Sequence, residues 1–142
     1  MSQSFKPKGM PALIPYLTVS SPDESVAFYQ DVCQFNLLSE PKIENNKILH
    51  AEMGLGEAVI MMGAEGACGS TQLSPKVSGT QAPLNLYIYV PDVDAHYAHA
   101  KKHGAKIAKA PEDMFWGDRF YQLEDIDGYQ WCFATHVGEH QK

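Results

Sequence analysis

His50 and Glu52 lie two residues apart in a segment that reads as a strand over residues 47–53, so both project from one face of it. An imidazole beside a carboxylate can chelate a metal ion or pass a proton. The plainer role of such a pair, a hydrogen-bonded contact on a sheet edge, is the favoured expectation. Trp116, Asp118 and Arg119 follow an irregular stretch from 111 to 117 that contains Pro111 and Gly117. An indole and a guanidinium side by side suit a planar ligand carrying a carboxylate or phosphate. The competing reading is a packed loop whose charges satisfy backbone groups. If any segment touches ligand it is this one, with Asn85, Tyr87 and Tyr121 as wall residues.

Three further groups carry less. His96, His99 and His103 fall at helical spacing, a quarter turn from an apolar stripe of Val93, Tyr97 and Ala100. With Lys101 and Lys102 alongside, the row predicts a solvated helix flank, and no carboxylate at matching spacing completes a ligand set. Asp125, Ile126, Asp127 and Gly128 form a hairpin turn whose residue types tolerate positive φ. Calcium-loop spacing is missing there. Cys132, between Trp131 and Phe133, reads as a small core residue. The sequence contains no Cys-x-x-Cys pair, nucleophile elbow, phosphate-binding loop or Gly-x-Gly-x-x-Gly.

The elements that position these residues come in two similar sets. Tyr16-Leu17-Thr18-Val19 resembles Tyr87-Ile88-Tyr89-Val90 half a chain length later, and each is followed by turn residues and a helical pattern. In the first half a strand over 12–19 leads to Ser21-Pro22-Asp23-Glu24, a capping box with Pro at the first helical position. The helix runs to about Cys33, and short strands follow at 37–42, 47–53 and 57–62. In the second half Leu84, Leu86, Ile88 and Val90 alternate with Asn85, Tyr87 and Tyr89, which predicts a strand between two environments. Asp92 caps a helix that ends at Gly104. Strands follow near 106–109, at 119–123 and at 129–134. Residues 63–83, rich in Gly, Ser, Thr and Pro, read as a loop joining the halves and long enough to fold over a pocket.

The chain has 142 residues, 44% hydrophobic and 20% charged, with 11 Lys plus Arg against 17 Asp plus Glu. That is ordinary globular composition. A net charge of −6 without a basic block argues against nucleic acid or an anionic membrane as partner. The 3 cysteines are scattered, which fits reduced thiols. No apolar run approaches the length of a membrane span, and the first ten residues carry no apolar leader, so a cytoplasmic protein is expected.

Two βαβββ modules with an Asp-x-Asp-Gly turn resemble the vicinal oxygen chelate superfamily: glyoxalase I, extradiol dioxygenases, fosfomycin-resistance and bleomycin-binding proteins. Ile14-Pro15-Tyr16-Leu17, His50-Ala51-Glu52-Met53, Met114-Phe115-Trp116-Gly117-Asp118-Arg119 and Trp131-Cys132-Phe133-Ala134-Thr135-His136 are similar to its PhnB-like branch. The resemblance spans about Met10 to Val137. It implies an α+β fold of two βαβββ modules, 10–62 and 84–137, joined by a linker at 63–83 and rolled into paired half-barrels around a cavity. It also implies a homodimer, formed through module edges or by exchange of modules. In the metal-dependent members four strand positions hold a divalent cation, and the resemblance places them here at Ile14, Met61, Asn85 and Cys132. Those side chains, and the neighbours Ile60, Trp131 and Phe133 that a one-residue slip would substitute, are not a ligand set for a hard or borderline cation.

The expectation is therefore a protein without metal or cofactor that binds an aromatic or weakly anionic small molecule. Asn85, Tyr87, Trp116, Arg119 and Tyr121 would form the walls and Ile14, Met61 and Cys132 an apolar floor, with His50 and Glu52 nearby. The alternative is a lyase, isomerase or transferase of the glyoxalase type, using His50 and Glu52 or an unconventional metal set. Sequestration of a cationic drug would suit the acidic balance but not an Arg119 in the pocket.

Overall fold

The computed structural model describes residues 4–138. Ser21 caps the first helix: its hydroxyl accepts the Glu24 N–H at 3.3 Å, and Pro22 opens the first turn. The resulting α1 spans Pro22–Asp31. Asp92 does the same for α3, Val93–Lys102, accepting the Ala95 N–H at 3.1 Å. The strands are β1 (Tyr16–Val19), β2 (Asn36–Leu37), β3 (Lys42–Glu44), β4 (Lys47–Leu55), β5 (Ala58–Ala64), β6 (Asn85–Tyr89), β7 (Lys106–Asp113), β8 (Asp118–Glu124) and β9 (Gln130–His136).

They form two sheets, ordered β1-β5-β4-β2 with β3 also on β4, and β6-β9-β8-β7. In each, the first strand runs parallel to the last and the others are antiparallel. The registers repeat as well: Tyr16 sits opposite Met61 as Tyr87 sits opposite Cys132. The fold is α+β, two βαβββ units built alike.

Alternation along the strands sends one face of each sheet to a shared core. Leu17, Val19, Ala51, Met53, Ile60 and Met62 from the first sheet meet Ile88, Tyr121, Leu123, Trp131 and Phe133 from the second. Val26, Tyr29, Val93 and Ala100 of the helices fill the space between. The opposite face of each sheet points away from this core. On the second sheet it carries a separate small cluster, Phe120, Cys132 and Ala134 with Met114 against it.

The turn Asp125–Gly128 is more than a connection. Asp127 is fully buried, with Oδ1 accepting from the Ser20 amide (3.1 Å) and hydroxyl (2.7 Å) and Oδ2 from the Ser25 hydroxyl (3.4 Å). Asp125 accepts the Asp127 and Tyr129 amides on Oδ1 and the Tyr29 hydroxyl on Oδ2. The Tyr129 hydroxyl donates to the Thr18 carbonyl at 2.8 Å and accepts its amide at 3.2 Å, closing the free edge of β1. The second module thus clasps the first through buried polar groups, all of them partnered.

Several elements differ from the sequence reading. Residues 12–15 precede β1 rather than belong to it, although the Pro15 carbonyl still accepts the Met61 amide. The irregular stretch after 110 begins as strand: β7 continues to Asp113, its two register shifts and edge position accommodating Pro111. An extra strand, β3, precedes a two-residue turn in which Asn45 and Asn46 both have positive φ. The 63–83 segment contains a 3-10 turn at Ala67–Gly69 and a one-turn helix α2, Pro75–Ser78, capped by Ser74 and ended by Gly79. Among the described residues no helix is long and apolar enough to cross a membrane.

His96 corrects the solvated-flank expectation. It stands three residues after Val93 and four before Ala100, on the buried stripe itself, and is 4% exposed. Its Nε2 meets the Cys33 carbonyl at 2.8 Å and its Nδ1 the Tyr121 hydroxyl at 2.6 Å, with the ring stacked on Phe133. Burial lowers its pKa, against the pull of the Cys33 carbonyl. His99 reaches the Asp31 carbonyl at 2.7 Å, so two histidines of α3 cover carbonyls at and just past the end of α1.

Candidate functional site

The two core-averted sheet faces, one per module, carry the chemistry. On the second, β8 presents Asp118, Phe120 and Gln122, β9 presents Cys132, Ala134 and His136, and β6 presents Asn85, Tyr87 and Tyr89, as the registers require. Asp118, 1% exposed, organises this face. Its Oδ2 accepts the Tyr87 hydroxyl at 2.7 Å, the Tyr89 hydroxyl at 2.8 Å and the Trp116 indole N–H at 3.0 Å. Its Oδ1 meets His136 Nδ1 at 3.1 Å. Burial alone would raise the carboxyl pKa; hydrogen bonds from Tyr87, Tyr89, His136 and Trp116 outweigh it and hold the group below its ordinary value. Tyr87 moves up instead, through burial and its bond to Asp118.

An anion beneath the aromatic edges thus fixes Tyr87, Tyr89 and Trp116 in a wall of part-exposed rings. Tyr87 is 40% exposed, Tyr89 60%, Phe115 65% and Trp116 39%. Trp116 stacks with Phe120 at 6.3 Å, and Tyr87 and Tyr89 meet edge to face at 5.6 Å. The turn that delivers Trp116 depends on Gly117, whose φ is +94° and whose missing Cβ would collide with the Gly138 carbonyl. Below the wall an amide chain runs from Gln122 to Gln130 (2.9 Å) and from Gln130 to Glu124 (2.8 Å). Burial pushes the Cys132 thiol up, which suits a neutral packing residue.

On the first module the open face carries Tyr16, His50, Glu52, Met61 and Gly63, with Ile14 just ahead of β1. The Tyr16 hydroxyl lies 3.2 Å from His50 Nδ1, and His50 Nε2 lies 3.6 Å from Glu52 Oε2.

The sequence-expected residues therefore divide into three places. Asn85, Tyr87, Trp116 and Cys132 share one open face. His50, Glu52 and Met61 share the other, with Ile14 just ahead of its first strand. Arg119 and Tyr121 lie on the reverse side of β8, and this corrects their placement in one wall with Asn85 and Tyr87. Tyr121 is fully buried against His96, Tyr97 and Phe133. Arg119, the only arginine of the sequence, forks onto Asp113 at 2.6 and 3.1 Å and reaches Asp94 at 2.9 Å. Parity was the available signal: Arg119 and Tyr121 share a strand face with aliphatic Leu123, which belongs to the core. The organiser, Asp118, was read only as part of the Trp116–Arg119 segment.

The four positions at which the sequence resemblance puts cation ligands, Ile14, Met61, Asn85 and Cys132, do not form a ligand set here. Met61 lies on one sheet with Ile14 just ahead of that sheet's first strand, Asn85 and Cys132 lie on the other, and they offer a thioether, a hydrocarbon, an amide and a thiol held neutral. Among the described residues no group of three or more His, Cys, Asp or Glu side chains is arranged for a metal ion. A cleft of about 670 Å³ lies between Phe28 of α1, its C-cap Val32, Pro75 of α2 and the turn at Ile126 and Gly128, and reaches the second open face at Glu124 and Gln130, the foot of the amide chain.

Residues 12–133 match the model of the Glyoxalase/Bleomycin resistance protein/Dioxygenase superfamily. An uncharacterized protein of Mycobacterium bovis, Mb0911c, is 30% identical over 132 residues, covering 91% of this chain and 86% of its own. TioX from Micromonospora sp. ML1 superposes with a TM-score of 0.74 at 26% identity, covering 89% of this chain and 99% of that one. A superfamily member from Sphaerobacter thermophilus superposes with a TM-score of 0.64 at 18% identity, covering 88% and 98%.

Proposed function

The chain belongs to the glyoxalase/bleomycin resistance protein/dioxygenase superfamily, and from that premise we propose that it binds a planar small molecule on the aromatic wall around Asp118, without a metal ion, as a homodimer of the PhnB-like branch. The carrying observation is the buried carboxylate that accepts from Tyr87, Tyr89 and Trp116 at once. Such a network spends a charged group on holding aromatic side chains still, with part of each ring left exposed for a ligand to stack on.

The charge of the ligand follows from the same geometry. Arg119 is turned to the other side of β8 and neutralised by Asp94 and Asp113, so it does not favour an anion here. Asp118 behind the rings adds to the negative potential of their faces. A neutral or cationic ligand fits better than the weakly anionic one expected from the sequence. Cation–π contact contributes about 0.5–2 kcal/mol per well-placed ring.

In one chain the two open faces turn away from a common core, and both expose aromatic rings. A second copy that lays its Ile14–His50–Met61 face over the Tyr87–Trp116 face of the first would enclose the ligand and bury both patches.

The test is quenching of Trp116 fluorescence by planar dyes of opposite charge, with W116F supplying the signal of the buried Trp131 for subtraction. Acridine orange, a cation, should bind at least tenfold tighter than 1-anilinonaphthalene-8-sulfonate, and Y87A should weaken it about tenfold. Equal binding of both dyes, or binding unchanged in W116F, would refute the assignment. Sedimentation gives the dimer directly; a monomer at 100-fold the dye affinity would refute that part alone.

A further inference from the structure

We propose that Tyr16, His50 and Glu52 form a proton relay and make the open face of the first module a general-base site for a weakly acidic, uncharged planar substrate. The inference stands on residues of one chain and does not depend on the binding role of the Asp118 wall.

Three observations carry it. The first is order: phenol, imidazole and carboxylate stand in sequence, Tyr16 Oη to His50 Nδ1 at 3.2 Å and His50 Nε2 to Glu52 Oε2 at 3.6 Å. A carboxylate facing Nε2 favours the tautomer protonated there, which leaves Nδ1 free to accept from Tyr16. The second is space. Gly63 lies directly opposite His50 in the ladder, and a Cβ on it would collide with the Tyr16 hydroxyl. The glycine lets the phenol lie across the sheet and reach the imidazole.

The third is the internal repeat, which serves as a control within the molecule. Tyr16, His50, Glu52, Met61 and Gly63 occupy the ladder positions that Tyr87, Phe120, Gln122, Cys132 and Ala134 occupy in the second sheet. The tyrosine is present in both halves. There, however, the imidazole position holds a phenyl ring, the carboxylate position an amide and the glycine position an alanine. The fold therefore does not require His-x-Glu at these positions.

The step balances within the relay. The substrate's acidic X–H bond breaks and its proton forms a new O–H bond at Tyr16 Oη. The phenol's own proton moves to His50 Nδ1, and the imidazolium so formed faces the Glu52 carboxylate. Burial, then the Coulombic influence of Cys68, raises the Tyr16 pKa, so the hydroxyl arrives protonated and the relay starts neutral at the phenol. Tyr16 is 53% exposed and meets the substrate; His50 passes the proton; Glu52 is a positioning residue. Met61, opposite Tyr16 in the ladder, offers apolar surface beside the phenol, and Glu52 disfavours an anionic substrate.

The probe is 5-nitrobenzisoxazole, a planar carbon acid. Loss of its C–H proton opens the N–O bond to a coloured cyanophenolate. The full-length protein should open it faster than an equal concentration of free imidazole. Y16F and H50Q should each lose tenfold or more, the double variant losing no more than either. E52Q should shift the pH profile of the rate, Tyr16, Lys42 and Glu52 being the titratable groups around His50. R119A, on the far side of the other module, should leave the rate unchanged. Circular dichroism checks that every variant folds. A rate no better than imidazole, a rate retained in H50Q and Y16F, or a His50 that nitrogen NMR shows protonated at Nδ1 would each overturn the relay.

Discussion

Replacing Asp125 by Asn should remove a distinct pH dependence from the stability of the fold. Asp125 is 4% exposed, under the fully buried Tyr29. Burial raises its carboxyl from 3.8 to about 6, despite hydrogen bonds from Tyr29 and the amides of Tyr129 and Asp127 that favour the ionised form. The folded pKa lies above the unfolded one. Between the two values the folded protein holds a proton that the unfolded chain has released. The stability it contributes is complete below about pH 4 and is lost as pH rises through about 6. A shift of about two units corresponds to roughly 3 kcal/mol, and the side-chain amide of D125N has nothing to titrate.

Urea unfolding at several pH values between 4 and 7.5 measures this, with Trp131 as reporter because its indole N–H bonds the Tyr29 hydroxyl at 3.0 Å. The stability of the wild type minus that of D125N should fall by about 2 kcal/mol from pH 4 to pH 7. The absolute gap also contains the altered bond to Tyr29, so only its slope is diagnostic. Groups that titrate in both proteins, His96 among them, cancel. A gap that stays flat, or grows with pH, would show that Asp125 is ionised throughout and that burial does not dominate its energetics.

D118N converts an acceptor-only group into one with two donors facing four partners. Because those partners are partly exposed and can turn to water, unfolding should cost only about 2 kcal/mol less, while acridine orange binding falls about tenfold. R119A breaks two exposed ion pairs and should change stability by less than about 1 kcal/mol, with dye binding unaffected; a large loss of binding would return Arg119 to the ligand site. Y129F strips the partner from both backbone groups of Thr18 and should lower the melting temperature by roughly 4–8 °C, from about 2 kcal/mol at this chain length.

The sequence announces what local chemistry controls. Ser21, Pro22 and Asp92 set helix starts, and the Leu84–Val90 alternation sets β6 and its faces. It hides what depends on which face meets the core. In β8 both faces carry aromatic rings, Phe120 outward and Tyr121 inward, so hydrophobicity alone does not orient the strand. His96 is disguised by its class, a histidine among lysines on a helix whose buried stripe is narrow. The burial of Asp125 and Asp127 arises from packing between halves far apart in sequence, and a turn rich in aspartate otherwise reads as surface. The one-turn helix at Pro75 is too short to show a period, although Ser74 and Gly79 bracket it.

The hairpin that grips Ser20, Ser25 and Tyr29 lies about a hundred residues after them, so ribosomal synthesis delivers it well after the groups it holds. Until it emerges, the amino-terminal half has a sheet and a helix but no acceptors for those groups, and no indole or phenyl rings from β9 to cover its apolar side. Maturation of the first half must therefore wait for synthesis of the second. A fragment ending in the linker would then remain loosely ordered and open to proteolysis, whereas the intact chain would lock in a single concerted event.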